Sequence, residues 1–238
     1  EIKAIAQVTK QGFTYVFDRA TGVPVWPIIE RAVPAATIPG ERASPTQPFP
    51  TKPPAFALQG LTEDDLIDFT PALRAEAVQR LENFTYGPLF TPPSLPQGDK
   101  RGTVLMPGAG GGANWTGAGI DPESGVLFVP SRDSATVPRM GTLDGDESNF
   151  NYFRLNFLGV AGPRGLPLLK PPYSTITAFD MNSGEILWRV PNGAGSAQVE
   201  NSPALAGIDL PPLGGGGRHA VLVTSSLLIH GQNAGYGP

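Results

Sequence analysis

Few residues in this chain have the type and spacing to do chemistry. Lys10 stands in "TKQGFTYV", between a β-rich run and a glycine turn. Taken alone, a lysine there is a solvated turn residue. Asn114 and Trp115 close the run "PGAGGGANW", where the six residues before them include four glycines. Asn114 alone could cap a turn, and Trp115 alone could pack between sheets. Gly108, Gly110 and Gly112 do not make a dinucleotide fingerprint, because the spacing is wrong and a strand rather than a helix follows. "LDGDESNF" places Asp144, Asp146 and Ser148 at alternate positions, like a calcium loop. Asn149 replaces the glycine that such a loop needs, and Leu155 replaces the closing glutamate, so a solvated acidic loop is the better reading. His219 and His230 are eleven residues apart with no carboxylate near them in sequence and make no case for a metal.

Composition narrows the function classes. The 238 residues include 30 Gly and 27 Pro, a level that here marks turns and long loops between patterned strands. The net charge is −4 with no basic cluster, which argues against a nucleic-acid surface. No cysteine is present, so there is no disulfide and no thiolate metal site. No apolar run reaches the ~20 residues that span a bilayer. The first residues already read as strands, suggesting a chain that begins inside a larger fold.

The elements that must position these residues are marked by a repeat. "FTYVFDRATGVPVW" (Phe13–Trp26), "GAGIDPESGVLFV" (Gly117–Val129) and "TITAFDMNSGEILW" (Thr175–Trp188) share a β-rich run, Asp, two residues, Thr or Ser, Gly and a second run. Asp18, Asp121 and Asp180 can accept backbone N–H bonds within their own turns, while Gly22, Gly125 and Gly184 supply the positive φ of the reversal. Such hairpins bury both faces only when stacked. The pattern predicts an all-β chain, part of a β-propeller, in antiparallel sheets of about four strands, with Trp26 and Trp188 buried between sheets.

Two insertions interrupt the repeat, at about 33–102 and 132–172. The first starts as a proline-rich loop. It continues with a helix over 71–82, with Thr70 as N-cap, Pro71 at the first position and Leu73, Ala77, Val78 and Leu81 on one face. The acidic "TEDDL" (Thr62–Leu66) favours a helix start. The second insertion has no clear period. "RHAVLVTSSLLIHG" reads as two strands joined at Ser225-Ser226.

"VTKQGFTYVFDRATGVPVWP", "PTQPFP", "FTPPSL" (Phe90–Leu95), "GGGANW" and "TAFDMNSGEILWRVP", in that order, resemble the pyrroloquinoline-quinone (PQQ) dependent dehydrogenases, most of all their glucose- and sugar-oxidising membrane-type branch. The Asp-x-x-Thr/Ser-Gly-x-x-x-Trp unit resembles the tryptophan-docking repeat of their eight-bladed propellers. The resemblance implies that Lys10 hydrogen-bonds the quinone oxygens of PQQ and that Asn114 and Trp115 line the cofactor pocket, with the glycines letting backbone run close to a flat cofactor. It implies oxidation of an alcohol or aldose: a base takes the hydroxyl proton, and hydride passes to the PQQ C5 carbonyl, polarised by Ca²⁺ and the lysine. Electrons then go to a quinone or cytochrome, in the periplasm or at its membrane. The family's catalytic Asp and calcium ligands have no matching positions and are expected upstream, so residues 1–238 form a single partial propeller domain that is not active alone. The rival reading is a non-catalytic propeller scaffold for partner proteins, which would need neither Lys10 nor the glycine-rich Asn-Trp loop.

Overall fold

A computed structural model describes residues 2–143, 149–215 and 219–232. The strands and helices run β1 (Ala4–Val8), β2 (Thr14–Asp18), β3 (Ile28–Ala32), β4 (Thr46–Pro50), α1 (Pro71–Leu81), β5 (Gly119–Asp121), β6 (Val126–Arg132), β7 (Thr136–Thr142), β8 (Tyr152–Gly159), β9 (Ser174–Asp180), β10 (Glu185–Pro191), α2 (Ala197–Glu200), β11 (His219–Val223) and β12 (Leu228–Gln232). The chain is all-β apart from short helical pieces.

The repeat turns form as their residues dictate. Asp18 accepts the N–H groups of Ala20 and Thr21 at 2.8 and 3.1 Å. Asp180 accepts the Asn182 N–H at 2.9 Å and the Ser183 hydroxyl at 2.7 Å. Asp121 takes the Glu123 N–H and the Ser124 hydroxyl. Gly22, Gly125 and Gly184 all have φ between 71° and 74°, where a Cβ would be strained. The carboxylates of all three aspartates are held below the ordinary range by these bonds: backbone N–H donors lead at Asp18 and Asp180, the Ser124 hydroxyl at Asp121.

Two of the repeats meet in one antiparallel sheet, ordered β10-β9-β6-β5. Its centre pairs Val126 with Asp180 through Arg132 with Ser174, and β9 is buried along nearly its whole length. The other strands pair as two-stranded ladders, β1-β2, β3-β4, β7-β8 and β11-β12, rather than as further four-stranded sheets. β11 packs on β5 closely enough that a Cβ on Gly119 would lie 2.6 Å from Val223.

The tryptophans depart from the sequence reading. Trp26 is half-buried and Trp188 is 39% exposed. β10 is an edge strand, and its seven residues are all exposed; the Trp188 ring tilts against that of Phe128, with ring centroids 5.8 Å apart.

α1 matches its sequence signature. The Thr70 hydroxyl accepts the Leu73 N–H at 3.1 Å, and Leu73, Ala77 and Leu81 are buried while Val78 is half-buried. With Leu66, Ile67, Val104 and Leu168 they form the larger of two apolar clusters. "TEDDL" makes a single 3₁₀ turn over Glu63–Asp65, where Asp65 accepts the Thr62 N–H at 2.8 Å. α2 is a further one-turn helix, capped by Ser196.

Both inserted stretches carry strands that the sequence hides. "TQPFP" is β4, paired with β3; proline fits because a two-stranded ladder consists of edges. β7 and β8 form a hairpin whose register shifts between Pro138 and Met140, and the shift destroys the alternation by which a strand is read. Asp144, Asp146 and Ser148 lie outside the described residues.

Candidate functional site

Lys10 sits at the tip of the β1-β2 hairpin. The Thr9 N–H donates to the Phe13 carbonyl at 2.9 Å, the Phe13 N–H donates to the Thr9 hydroxyl at 3.3 Å, and the Gly12 N–H returns to the Thr9 carbonyl at 3.1 Å. The tip is clasped on both sides: the Gly112 N–H donates to the Lys10 carbonyl, and the Phe56 N–H donates to the Gly12 carbonyl, each at 2.9 Å. Beneath lies the second apolar cluster, which includes Val8, Phe56, Ala57, Ala113 and Val129.

The glycine run 108–112 lies against this tip. A Cβ on Gly111, whose φ is 77°, would stand 2.6 Å from Cα, Cβ and Cγ of Lys10. One on Gly112 would stand 2.5 Å from Cβ of Ala57, and one on Gly108 would stand 2.6 Å from the Ser134 carbonyl. Gly110 abuts the Arg132 guanidinium. The close approach that these glycines permit is therefore to protein atoms, packing the loop onto the hairpin that carries Lys10.

The Lys10 ammonium reaches back to the Ala109 carbonyl at 3.3 Å. It opens on a cavity of about 270 Å³ walled by Pro88–Thr91 and Val104–Ala109. Asn114 lies on the other side of the loop. Its amide donates to the Gly110 carbonyl at 2.9 Å, and its Oδ1 accepts the Trp115 N–H at 2.8 Å. It lines a hollow of about 20 Å³ with Ser131, Arg132 and His219, room for a single water. Trp115 is 77% exposed and lines neither space. One loop thus joins Lys10 and Asn114 through its backbone, but the three side chains share no common cavity. A larger hollow, about 640 Å³, lined by Arg80, Lys100, Arg101 and Arg139, touches none of them.

Several groups near the loop carry no sequence signal. His219 Nδ1 and His230 Nε2 are 3.1 Å apart, and the Asn192 amide is 3.2 Å from the same His230 nitrogen. Burial pushes the His219 imidazole down to about 4, with His230 and Arg132 adding to the effect, and its Nε2 is buried without a partner. Asp133, next to Arg132, accepts the Leu58 N–H at 3.1 Å. Burial pushes its carboxyl up to about 6, against that hydrogen bond and the charge of Arg189. Among the described residues no three His, Asp or Glu side chains gather as a metal site would require.

The family described as glucose/ethanol/alcohol dehydrogenase, β-propeller domain, a PQQ family, matches residues 1–235. The glycerol dehydrogenase large subunit of Gluconobacter thailandicus is 31% identical over 223 residues, covering 82% of this chain and 30% of its own. The quinate/shikimate dehydrogenase (quinone) of Acinetobacter baylyi is 29% identical, covering 80% of this chain and 25% of its own. Quinoprotein glucose dehydrogenase A of Acinetobacter calcoaceticus is 27% identical, covering 90% and 29%. The chain spans under a third of the length of these relatives. Its match over nearly every residue nevertheless makes it a member of the PQQ-dependent glucose/ethanol/alcohol dehydrogenase β-propeller family.

Proposed function

We propose that this chain is one part of the propeller of a PQQ-dependent dehydrogenase that oxidises an alcohol, polyol or aldose. In this reading, residues 1–238 form a single partial domain, and the rest of the propeller comes from further residues of the same chain or from another chain. The observation that carries the proposal is the clasp between Lys10 and the glycine loop: an ammonium on a hydrogen-bonded hairpin tip, at the edge of a cavity. A scaffold that only holds partner proteins has no use for it.

The residues present suit a flat, polyanionic, carbonyl-bearing cofactor. Lys10 contributes a fixed positive charge and three donors. Asn114 keeps one amide hydrogen beyond its bond to Gly110, and the exposed ring of Trp115 offers a flat apolar face. PQQ, when bound, would supply the acceptor for the hydride, and with it the two electrons, leaving the alcohol carbon. Lys10 would hold its charge beside the oxygen on which negative charge develops, and a preorganised donor there requires no rearrangement as the charge grows. Asn114 and Trp115 share no cavity with Lys10 within residues 1–238, so Asn114 would orient the cofactor's edge and Trp115 would cover one side only once the rest of the propeller closes over the loop.

Calcium ligands and the proton-abstracting carboxylate belong, in this reading, to the remainder of the protein. Electrons would pass to a quinone or cytochrome, and the periplasm is the compartment that fits such an acceptor. Among the described residues no helix is long and apolar enough to cross a membrane. The test is reconstitution of the full-length gene product with PQQ and Ca²⁺, followed by dye reduction with glucose, glycerol, quinate and ethanol. Reduction with at least one of them is expected. No bound quinone absorbance and no reduction with any of them would favour the scaffold.

A further inference from the structure

Phe90 has φ of 68°, and Arg164 is the one other described non-glycine residue with a positive φ. A bulky aromatic in the left-handed region is an outlier that persists only where its surroundings over-determine it. They do so here. The Leu89 N–H donates to the Gln59 carbonyl at 3.1 Å. The N–H and hydroxyl of Thr91 both donate to the Pro88 carbonyl, at 3.1 and 2.7 Å. The Phe90 ring stands edge-on to Phe49, with centroids 5.6 Å apart, and Phe49 stands edge-on to Phe13 at 5.5 Å. Phe13 is buried and closes the hairpin whose tip carries Lys10.

Phe90 also lines the Lys10 cavity, with Pro88, Leu89, Met106 and Ala109. At about 270 Å³ the cavity falls just below the usual size of a ligand pocket, roughly 300–1,000 Å³. Its walls are largely apolar, with one ammonium at the edge. A half-buried ring, locked in a strained backbone and tied through two rings to the Lys10 hairpin, makes a rigid wall rather than an adaptable one.

We infer that Phe90 is a specificity-determining residue: it sets the size of the alcohol admitted beside Lys10, favouring a small or acyclic polyol over a bulky cyclic one. This rests on the dehydrogenase reading above. An unyielding wall discriminates by exclusion, because substrate bulk cannot be relieved by a side-chain rotation.

The experiment uses the full-length gene product with PQQ and two variants, Phe90→Gly and Phe90→Ala. It reads the ratio of kcat/KM for a six-membered cyclic polyol to that for a three-carbon polyol, together with the melting temperature of the PQQ-free protein. Both variants should raise the ratio at least tenfold. Phe90→Gly should melt above Phe90→Ala, reversing the usual order, because glycine alone is free of strain at this φ. A parent enzyme that turns over polyols, with variants whose ratio stays within twofold of the parent's, would overturn the role of Phe90 and leave the dehydrogenase reading standing. A parent protein that binds no PQQ and oxidises no polyol would overturn both.

Discussion

The Gly112 N–H donates to the Lys10 carbonyl at 2.9 Å, across a sequence separation of about a hundred residues, while the Lys10 side chain folds over the same loop to the Ala109 carbonyl. The hairpin tip and the glycine loop are therefore one rigid piece.

Gly111→Ala tests this coupling. Its Cβ would be forced within 2.6 Å of Lys10 at a φ of 77°. The substitution should cost roughly 1–3 kcal/mol of stability and weaken PQQ binding in the same protein. Thermal unfolding and PQQ titration check the two effects. An alanine variant that melts and binds like the parent would mean that the loop and hairpin are not packed as described.

Asp133 and His219 should titrate with opposite effects on stability. The carboxyl of Asp133 is raised to about 6, so the folded state holds a proton that the unfolded state has lost. Its contribution is present below about pH 4 and lost as pH rises through about 6. The imidazole of His219 is lowered to about 4, so the unfolded state holds the extra proton. That contribution is present above about pH 6.5 and lost as pH falls toward 4. Asp133→Asn should therefore steepen the loss of stability on acidification, and His219→Gln should lessen it, each by on the order of 1–2 kcal/mol across the window. Denaturant unfolding at pH 4 and pH 7 measures both, and slopes unchanged from the parent would contradict these environments.

Trp188 and Phe128 should be coupled. Their rings are 5.8 Å apart and tilted by 43°. A double-mutant cycle with alanine at each should give a coupling of about 0.5–1.5 kcal/mol. A coupling near zero would mean that Trp188 is held by other contacts.

What could be read in the sequence was what local chemistry decides. Thr70 and Pro71 mark the start of α1, and the spacing of Leu73, Ala77 and Leu81 gives its buried face. The Asp and Gly of each repeat carry their own turn, so three hairpin turns were legible one by one. Trp188 was misjudged because burial depends on which strand ends the sheet, and nothing within β10 marks it as an edge. β7 and β8 were hidden by the bulge after Pro138, and β4 by prolines that only an edge tolerates. At the site, the residue types of Lys10, Asn114 and Trp115 stood out, but the clasp between residues 10 and 112 is a tertiary pairing that no spacing encodes. Asp133 and Phe90 gave no sign at all. The environment of Asp133 is set by Leu58 and Arg189, which are distant in sequence, and the backbone of Phe90 is set by bonds from its neighbours to Pro88 and Gln59.

The most direct measurement is the PQQ affinity and turnover of the full-length gene product with Lys10→Ala. Lys10 should be a fixed charge beside the cofactor's developing oxyanion, so the variant should bind PQQ more weakly and lose turnover by on the order of a hundredfold. Lys10→Arg should keep much of both, because charge and donors remain. If Lys10→Ala binds PQQ and turns over substrate as the parent does, the lysine is a turn residue and the cofactor site lies elsewhere.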